Sequence, residues 1–262
     1  AELGQGARGA QRFIVARCLN QPIEKVEVLE PDTNHTPYDW GTGASRSTVI
    51  VGLAIEEACQ QIRKQICEAV SSCMSVSEEQ VELVPGGVKT NGEFLTFKEV
   101  LRRYQGITAG EFAALGRITP HSRQGSLAQA PVFWETAAGV CEIEVDEQTG
   151  QVNVHNVSLC ADVGKVINPK AAKGQDEGAM IQGLGHTLTE QYVYEDGQIV
   201  NGSAFDYKVP TIDQTPSMHA ALIENGDGPG PFGSRGMGEG AILPIAPAFA
   251  NAIRRKYGVR IR

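Results

Sequence analysis

The stretch GDGPGPFGSRGMGEGAILP, residues 226–244, carries the strongest signal about the fold. Seven of its first fifteen residues are glycine, and glycine lets a backbone adopt left-handed conformations and approach a neighbour closely. Glu239 stands between two glycines and just before the apolar residues Ala241–Leu243. The pattern predicts a carboxylate at the edge of the core, where desolvation raises its pKa and makes it a better general base. The alternative is a flexible surface loop with a solvated glutamate.

The composition is that of a soluble globular protein of one or two domains. The chain has 262 residues, of which 41% are hydrophobic and 21% are charged, and its formal net charge is −8. The negative charge argues against nucleic acid or an anionic membrane as the main partner. No stretch approaches the ~20 apolar residues of a membrane span. The six cysteines lack zinc or iron–sulfur spacing, so we expect free thiols in a cytoplasmic protein and no metal ligation by side chains.

Two glycine-containing segments precede predicted helices in the first half. Gly4-Gln5-Gly6 leads into a helical pattern that ends at Cys18, and a glycine turn there leaves N–H groups that can meet an anion. Gly41–Thr48 precedes a long amphipathic helix through Val70, and its hydroxyls, N–H groups and Arg46 suit a phosphate or a pterin-like ring. The alternatives are a plain helix entry for the first segment and simple capping for the second.

Shorter elements follow in this half. Lys25–Leu29, Val81–Val84 and Phe94–Leu95 read as strands, and Thr96 with Glu99 predicts a capping box that opens a short helix through Tyr104. The polar segment Gln105–Ala130 reads as a long crossing loop that ends near the main domain boundary.

The second half begins with alternation from Cys141 to Val154, whose parity breaks at His155-Asn156 and predicts a β-bulge. A helix over Ala171–Glu190 follows. The sequence then predicts a hairpin at Asp196-Gly197 and a C-terminal helix from Pro247 to Tyr257.

The helix over Ala171–Glu190 contains four glycines, each of which costs about 0.5–1 kcal/mol relative to alanine. The helical period places Gly174, Gly178 and Gly185 on one face and Met180, Leu184 and Leu188 on the opposite face. We expect the apolar face to enter the core and the bare face to admit another backbone or a cofactor, with Gln175 beside it as a hydrogen-bonding residue. The alternative is tight helix packing.

Four segments, taken together and in order, resemble the C-terminal half of the large molybdenum subunit of the xanthine oxidase/aldehyde oxidoreductase family. These are Glu2–Gly6, Gly43–Thr48, Gly174–Gly185 and Gly236–Gly240. No nucleotide-binding fingerprint and no G-x-S-x-G hydrolase elbow competes with them.

The resemblance implies an α+β fold of two mixed α/β lobes of the molybdopterin-binding type, with glycine-rich cofactor loops. Residues 1–129 would form the first lobe with its connecting loop, and residues 130–262 the second lobe with the catalytic glutamate. The implied cofactor is a molybdopterin-type molybdenum cofactor, in the cytosine dinucleotide form as one option. The residues implied to bind it are Leu3, Gly4, Gln5, Ala44, Ser45, Arg46, Ser47, Thr48, Gln175 and Gly238.

The same resemblance implies that Glu239 is the base of a hydroxylase that oxidises an aldehyde or an N-heteroaromatic substrate with water-derived oxygen. The N-terminal half of the molybdenum subunit is missing, together with the iron–sulfur and flavin regions. We therefore expect FAD and [2Fe-2S] on partner subunits of a hetero-oligomer or in missing domains, and no turnover by the chain alone. The cysteine loop that marks carbon monoxide dehydrogenases would lie in the missing half. The alternative is a non-catalytic assembly or ligand-binding module that retains the fold.

Overall fold

A computed structural model describes residues 1–108, 110–119 and 133–261. The chain divides into two compact units, one of Ala1–Val132 with Pro229–Pro231 and one of Phe133–Gly228 with Phe232–Arg262. Each unit combines helices with a small sheet, which confirms the predicted α+β class of two mixed lobes. The predicted boundary between residues 129 and 130 lies outside the described residues and stays a prediction.

The first unit is organised by one 28-residue helix, α2, which begins at Ser47 and ends at Met74. Its buried side chains recur at helical spacing, as the sequence predicts, and they share a core with a three-stranded antiparallel sheet. The other helices and strands of this unit are α1 (Ala7–Cys18), β1 (Glu82–Val84), β2 (Gly87–Thr90), β3 (Glu93–Thr96) and α3 (Phe97–Gln105).

Two of the local predictions for this unit have opposite outcomes. The capping box is confirmed, because Thr96 Oγ1 accepts the Glu99 N–H at 3.2 Å and the Glu99 carboxylate accepts the Thr96 N–H at 2.8 Å. The prediction of a strand over Lys25–Leu29 is wrong. A 3₁₀ turn covers Ile23–Lys25, and residues 26–29 form no strand. The Arg12 guanidinium donates to the carbonyls of Ile23 and Val26, both at 3.0 Å. A side chain from α1 thus satisfies the backbone that a neighbouring strand would need.

The predicted crossing loop over Gln105–Ala130 falls only partly within the described residues. Residues 110–119 contain no helix or strand and run along α2, where the side chain of Gln65 donates to the carbonyl of Ala113 at 2.9 Å. The remainder of that prediction lies outside the residues that the structure describes.

The second unit is a three-stranded sheet with helices packed on it. In the order β4-β5-β8, the first pair is antiparallel and the second is parallel. Its core joins Val157 and Leu159 of the middle strand to Met180 and Ile245 of two helices. The elements of this unit are β4 (Thr136–Val145), β5 (Val152–Asp162), α4 (Pro169–Leu188), β6 (Tyr194–Glu195), β7 (Gln198–Ile199), α5 (Ala204–Tyr207), β8 (Ser217–Ile223) and α6 (Ile245–Tyr257).

Most of the expectations for the second unit are confirmed. Helices α4 and α6 and the β6–β7 hairpin lie where the sequence places them, within two residues at the helix ends. The bulge is confirmed as well, since Glu142 pairs with Asn156 while Ile143 pairs with Val154, which skips His155. Leu188 is an exception, because it ends α4 and is 38% exposed instead of buried. Strand β8 was not predicted, although Met218, Ala220 and Leu222 alternate inward.

The glycine-rich stretch is held in the second unit by main-chain contacts with the loop after β5. The Gly226 N–H donates to the Gly164 carbonyl at 3.1 Å, and the Gly233 carbonyl accepts the Lys165 N–H at 3.0 Å. Farther along, the Arg235 N–H donates to the Val163 carbonyl at 2.9 Å. These hydrogen bonds hold the loop in one conformation, which argues against the alternative prediction of a flexible surface loop.

None of the described helices is both long and apolar enough to cross a lipid bilayer.

Replacing Gly233 by alanine tests whether close backbone packing fixes this loop. A Cβ there would overlap the carbonyl oxygen of Gly226, and the φ of 84° is left-handed. We expect Gly233→Ala to lower the free energy of unfolding by about 2–4 kcal/mol in urea titrations. The control is Gly150→Ala, whose φ is 75° but whose Cβ would meet no described atom within 4 Å, so only about 1–2 kcal/mol of backbone strain applies. Equal losses would contradict a steric origin.

Candidate functional site

The start of α1 is occupied by an acidic side chain of the chain itself. The Glu2 carboxylate accepts the N–H groups of Gly4, Gly6 and Arg8 at 2.9, 3.0 and 3.0 Å. Burial raises the pKa of Glu2, but these backbone hydrogen bonds lower it, and the net shift is downward. The N–H groups that the sequence offered to an external anion are therefore satisfied internally.

Gln5 brings two of the predicted cofactor segments together within the first unit. Its Nε2 donates to Thr42 Oγ1 at 3.2 Å and to the Ala1 carbonyl at 3.1 Å, while its Oε1 accepts the Leu3 N–H at 2.5 Å. The hydroxyl of Ser47 joins the same Thr42 oxygen at 3.3 Å. Leu3, Gly4 and Gln5 thus lie beside the loop that opens α2, as a shared binding site requires.

The loop before α2 has an unusual backbone. Ala44 and Ser45 both have a φ of 52°, a left-handed conformation that is uncommon outside glycine and costs of order 1–3 kcal/mol. Arg46 occupies the N-cap position without a side-chain cap, so the first turn of α2, including Ser47 and Thr48, presents backbone donors. The Arg46 guanidinium lies 4.1 Å from the ring centre of Trp40, which holds the positive charge at this helix end.

The predicted bare face of α4 is only partly bare. A Cβ added to Gly174 or Gly178 would meet no described atom within 4 Å. Gly185, expected on the same face, is instead covered by the side chains of Glu190 and Pro210, because the chain folds back after the helix. The open part therefore lies in the first half of α4, where Gln175 is half-buried between the two uncovered glycines.

Asp176 is a buried acid that sequence reasoning missed. It is 0% exposed, and neither carboxylate oxygen has a hydrogen-bond partner among the described residues. Desolvation, followed by the charges of Glu135 and Glu177, raises its pKa to about 6. The sequence signal for its burial was its position one helical turn before Met180, because a residue on the apolar face of α4 packs into the core.

Glu239 does not occupy the desolvated position that the sequence predicts. The residues on its C-terminal side, Gly240 and Ala241, are buried, whereas Glu239 itself is exposed and Gly238 half-buried. Glu239 has non-helical φ and ψ angles of −124° and −17° at the start of the 3₁₀ turn Gly240–Ile242. The turn directs the next residue inward and leaves the carboxylate on the surface of this chain.

Arg235 of the glycine-rich stretch forms ion pairs within the second unit. Its guanidinium pairs with Asp227 at 2.5 Å and with Asp162 at 3.5 Å, so it joins the glycine-rich stretch to the end of β5. The Asp162 carboxylate also accepts the Gly164 N–H at 3.0 Å. The positive charge of Arg235 is therefore engaged by two carboxylates of the unit that contains it.

The loop before α2 suits an anionic, hydrogen-bonding group. The start of α2 offers N–H donors and a positive charge, and Gln5 places an amide at the same loop. Among the described residues, no group of three or more His, Cys, Asp or Glu side chains is placed to hold a metal ion. Gln175 and Glu239 lie in the second unit.

Comparison with known proteins identifies related chains of much greater length. The family described as "Molybdopterin cofactor-binding domain" matches residues 1–216. The chain is 29% identical to the 6-hydroxypseudooxynicotine dehydrogenase complex subunit gamma of Paenarthrobacter nicotinovorans, over 97% of this chain and 32% of that subunit. It is 26% identical to the aldehyde oxidoreductase molybdenum-binding subunit PaoC of Escherichia coli K12, over 100% of this chain and 34% of PaoC.

A solved structure gives the same result for the fold. The quinoline 2-oxidoreductase of Pseudomonas putida 86 superposes with a TM-score of 0.84 at 25% identity, over 100% of this chain and 34% of that chain. The chain therefore spans about a third of the length of the relatives it matches.

Replacing Asp176 by asparagine tests the buried carboxyl group. Because its pKa rises from 3.8 to about 6 on folding, ionisation penalises the folded state. This penalty is absent below about pH 4, develops as the pH rises through 6, and reaches about 3 kcal/mol at pH 8. We expect Asp176→Asn to gain stability relative to the unchanged chain between pH 4 and pH 8 in urea titrations.

The control for this titration is Asp146→Asn, which should respond to pH in the opposite direction. The N–H of Gln148 lowers the pKa of Asp146, so its stabilising effect is present above the unfolded pKa and is lost as the pH falls. The same response in both variants would contradict a buried, ionising Asp176.

Proposed function

The chain belongs to the molybdopterin cofactor-binding domain family, and from this premise we propose that it forms part of the molybdenum-binding subunit of a hydroxylase. The proposed reaction inserts water-derived oxygen into an aldehyde or an N-heteroaromatic substrate. The names of the relatives, which include an aldehyde oxidoreductase and a quinoline oxidoreductase, support both substrate classes. The observation that carries the proposal is the hydrogen bond that joins Gln5 to the loop before α2.

The proposed cofactor-binding residues of each unit are those predicted from the sequence. Leu3, Gly4 and Gln5 and the loop Ala44–Thr48 would hold the cofactor through backbone donors, hydroxyls and one amide. Gln175 would contribute a second amide at the uncovered face of α4. When bound, the molybdenum cofactor supplies oxygen transfer and accepts electrons, which side chains cannot do. The cytosine dinucleotide form is the proposed variant, with Arg46 as the partner of a phosphate.

Glu239 is the proposed general base, and Gly238 leaves room for a bound group beside it. The carboxylate would accept the proton that water-derived oxygen loses as it bonds to carbon. In this chain Glu239 is exposed. We therefore assign the exclusion of water around it to the part of the subunit that this chain does not span.

The proposed partners follow from the same premise. They are the N-terminal region of the molybdenum subunit and subunits or domains that carry [2Fe-2S] clusters and FAD. The proposed enzyme is cytoplasmic and hetero-oligomeric, and its six free cysteines are compatible with a reducing compartment.

The variant Glu239→Gln tests the catalytic base. The amide keeps the shape of the side chain but accepts no proton, so we expect turnover by the assembled enzyme to fall by about 10²–10⁴-fold. Molybdenum content, measured by mass spectrometry, should not change. The matched control is Glu79→Gln, another exposed glutamate, which should retain full turnover. Unchanged turnover in Glu239→Gln would contradict the assigned role.

The variants Gly174→Ala and Gly178→Ala test the cofactor face of α4. Each Cβ would meet no atom of the described residues within 4 Å, so each variant should stabilise the isolated chain by about 0.5–1 kcal/mol in urea. In the assembled enzyme the same methyl groups should obstruct the cofactor and lower the molybdenum content. Stabilisation with full loading would show that no cofactor approaches this face.

A further inference from the structure

An apolar surface in the second unit is left uncovered by the described residues. It is formed by the β6–β7 hairpin, the one-turn helix α5 and the turn after it, residues 191–213. Phe205 is 90% exposed and Ile212 is 84% exposed. We call this region the hairpin surface, and its main exposed side chains are Tyr192, Tyr194, Ile199, Val200, Phe205 and Ile212.

The hairpin surface is held together by specific contacts. The Asn201 side chain accepts the Val193 N–H at 2.8 Å and donates to the Gln191 carbonyl at 2.6 Å. The rings of Tyr192 and Tyr207 pack with their centres 4.6 Å apart. Its apolar side chains are therefore presented on an organised backbone, as a binding surface requires.

Exposure of these side chains is unfavourable unless something covers them. Burying one large apolar side chain gains about 1.5–3 kcal/mol, and a two-stranded hairpin alone is at best marginally stable in water. Contiguous apolar patches on soluble proteins mark interaction sites. Tyrosine is also enriched among residues that dominate binding energy. The hairpin surface therefore has the chemistry of a docking site.

The charges around the surface restrict its occupant. Residues 191–213 contain four carboxylates, Glu195, Asp196, Asp206 and Asp213, and one base, Lys208. An anionic membrane would be repelled, and a second copy would oppose one acidic rim to another. The complementary partner has an apolar centre with lysine or arginine at its rim.

We propose that the hairpin surface docks the part of the molybdenum-binding subunit that this chain does not span. The proposal rests on the proposed function and extends it to a surface that holds the subunit together. The chain matches 32% of the length of its Paenarthrobacter relative, so about two thirds of such a subunit is available as the occupant. This occupant can lie in the same polypeptide or in a separate one, since the contact is the same.

Oxidative footprinting of the isolated chain and of the subunit assembled with its neighbouring gene products tests this contact. In the isolated chain, hydroxyl radicals should modify Tyr192 and Phe205 rapidly. In the assembled subunit their modification should fall severalfold, while Tyr38, also 90% exposed but in the other unit, should keep its rate. Equal modification of Phe205 in both samples would overturn the proposal, as would protection that grows with the concentration of the isolated chain, which indicates a second copy.

Surface variants provide the second measurement. The double variant Phe205→Ser with Ile212→Ser removes exposed side chains, so the circular dichroism of the isolated chain should not change. In the assembled subunit it should weaken docking by at least about tenfold and restore modification of Tyr192. The matched control is Ile107→Ser, whose side chain is 94% exposed in the other unit and which should have no effect. Retained protection of Tyr192 in the double variant would contradict the proposal.

Molybdenum analysis of the same samples separates this proposal from the proposed function. Protection of the hairpin surface without molybdenum in the assembly would support docking and contradict the hydroxylase. Molybdenum and turnover in an assembly whose hairpin surface is unprotected would support the hydroxylase and contradict the docking proposal.

Discussion

The second unit depends on close contact between two stretches of main chain, the loop after β5 and the glycine-rich stretch. Backbone hydrogen bonds of 2.9–3.1 Å join Val163, Gly164 and Lys165 to residues 226–235. A side chain at Gly164 would overlap the Gly233 carbonyl oxygen across this contact, and side chains at Gly228 or Gly233 would overlap carbonyl oxygens within the glycine-rich stretch itself. The glycines therefore serve the packing of the loop on its own unit, and Arg235 reinforces the same junction through its ion pairs. The position of Glu239, four residues later, follows from this contact.

The two helix ends of the first unit illustrate how similar sequence signals lead to different electrostatic outcomes. Both α1 and α2 begin after glycine-containing turns. The start of α1 is neutralised by Glu2, whereas α2 begins without a side-chain cap and has Arg46 beside it. Only the second end is therefore suited to an external anion. Gln5 lies next to the start of α1, and its hydrogen bond to Thr42 directs its side chain towards the loop before α2.

Local sequence patterns predicted the elements that depend on local interactions. The periodicity of α2, the capping box of α3 and the parity break in β5 each arise from residues within a few positions of one another. The predictions that failed depend on distant groups. Arg12 binds the carbonyls of Ile23 and Val26 where a strand was expected over Lys25–Leu29, and strand β8 pairs with β5, which lies about 60 residues earlier. The same limit applies to Glu239, whose exposure is set by packing that no short motif specifies, whereas the burial of Asp176 follows from its helical spacing to Met180.

The skipped residue His155 has a consequence for how this sheet tolerates change. Before His155, the even-numbered residue Val154 packs towards the core. After it, the odd-numbered residues Val157, Leu159 and Ala161 do so. The unpaired residue therefore changes which residue numbers face the core. Deleting this single residue would leave Val154, Asn156 and Val157 in regular alternation, so both faces of the strand would be preserved. Deleting a residue elsewhere in the strand would turn the side chains next to the deletion to the opposite face. Compensated changes, in which a gain and a loss fall on the same strand, would preserve both faces. The strand therefore tolerates the loss of its bulge residue, whereas other single insertions and deletions are constrained by parity.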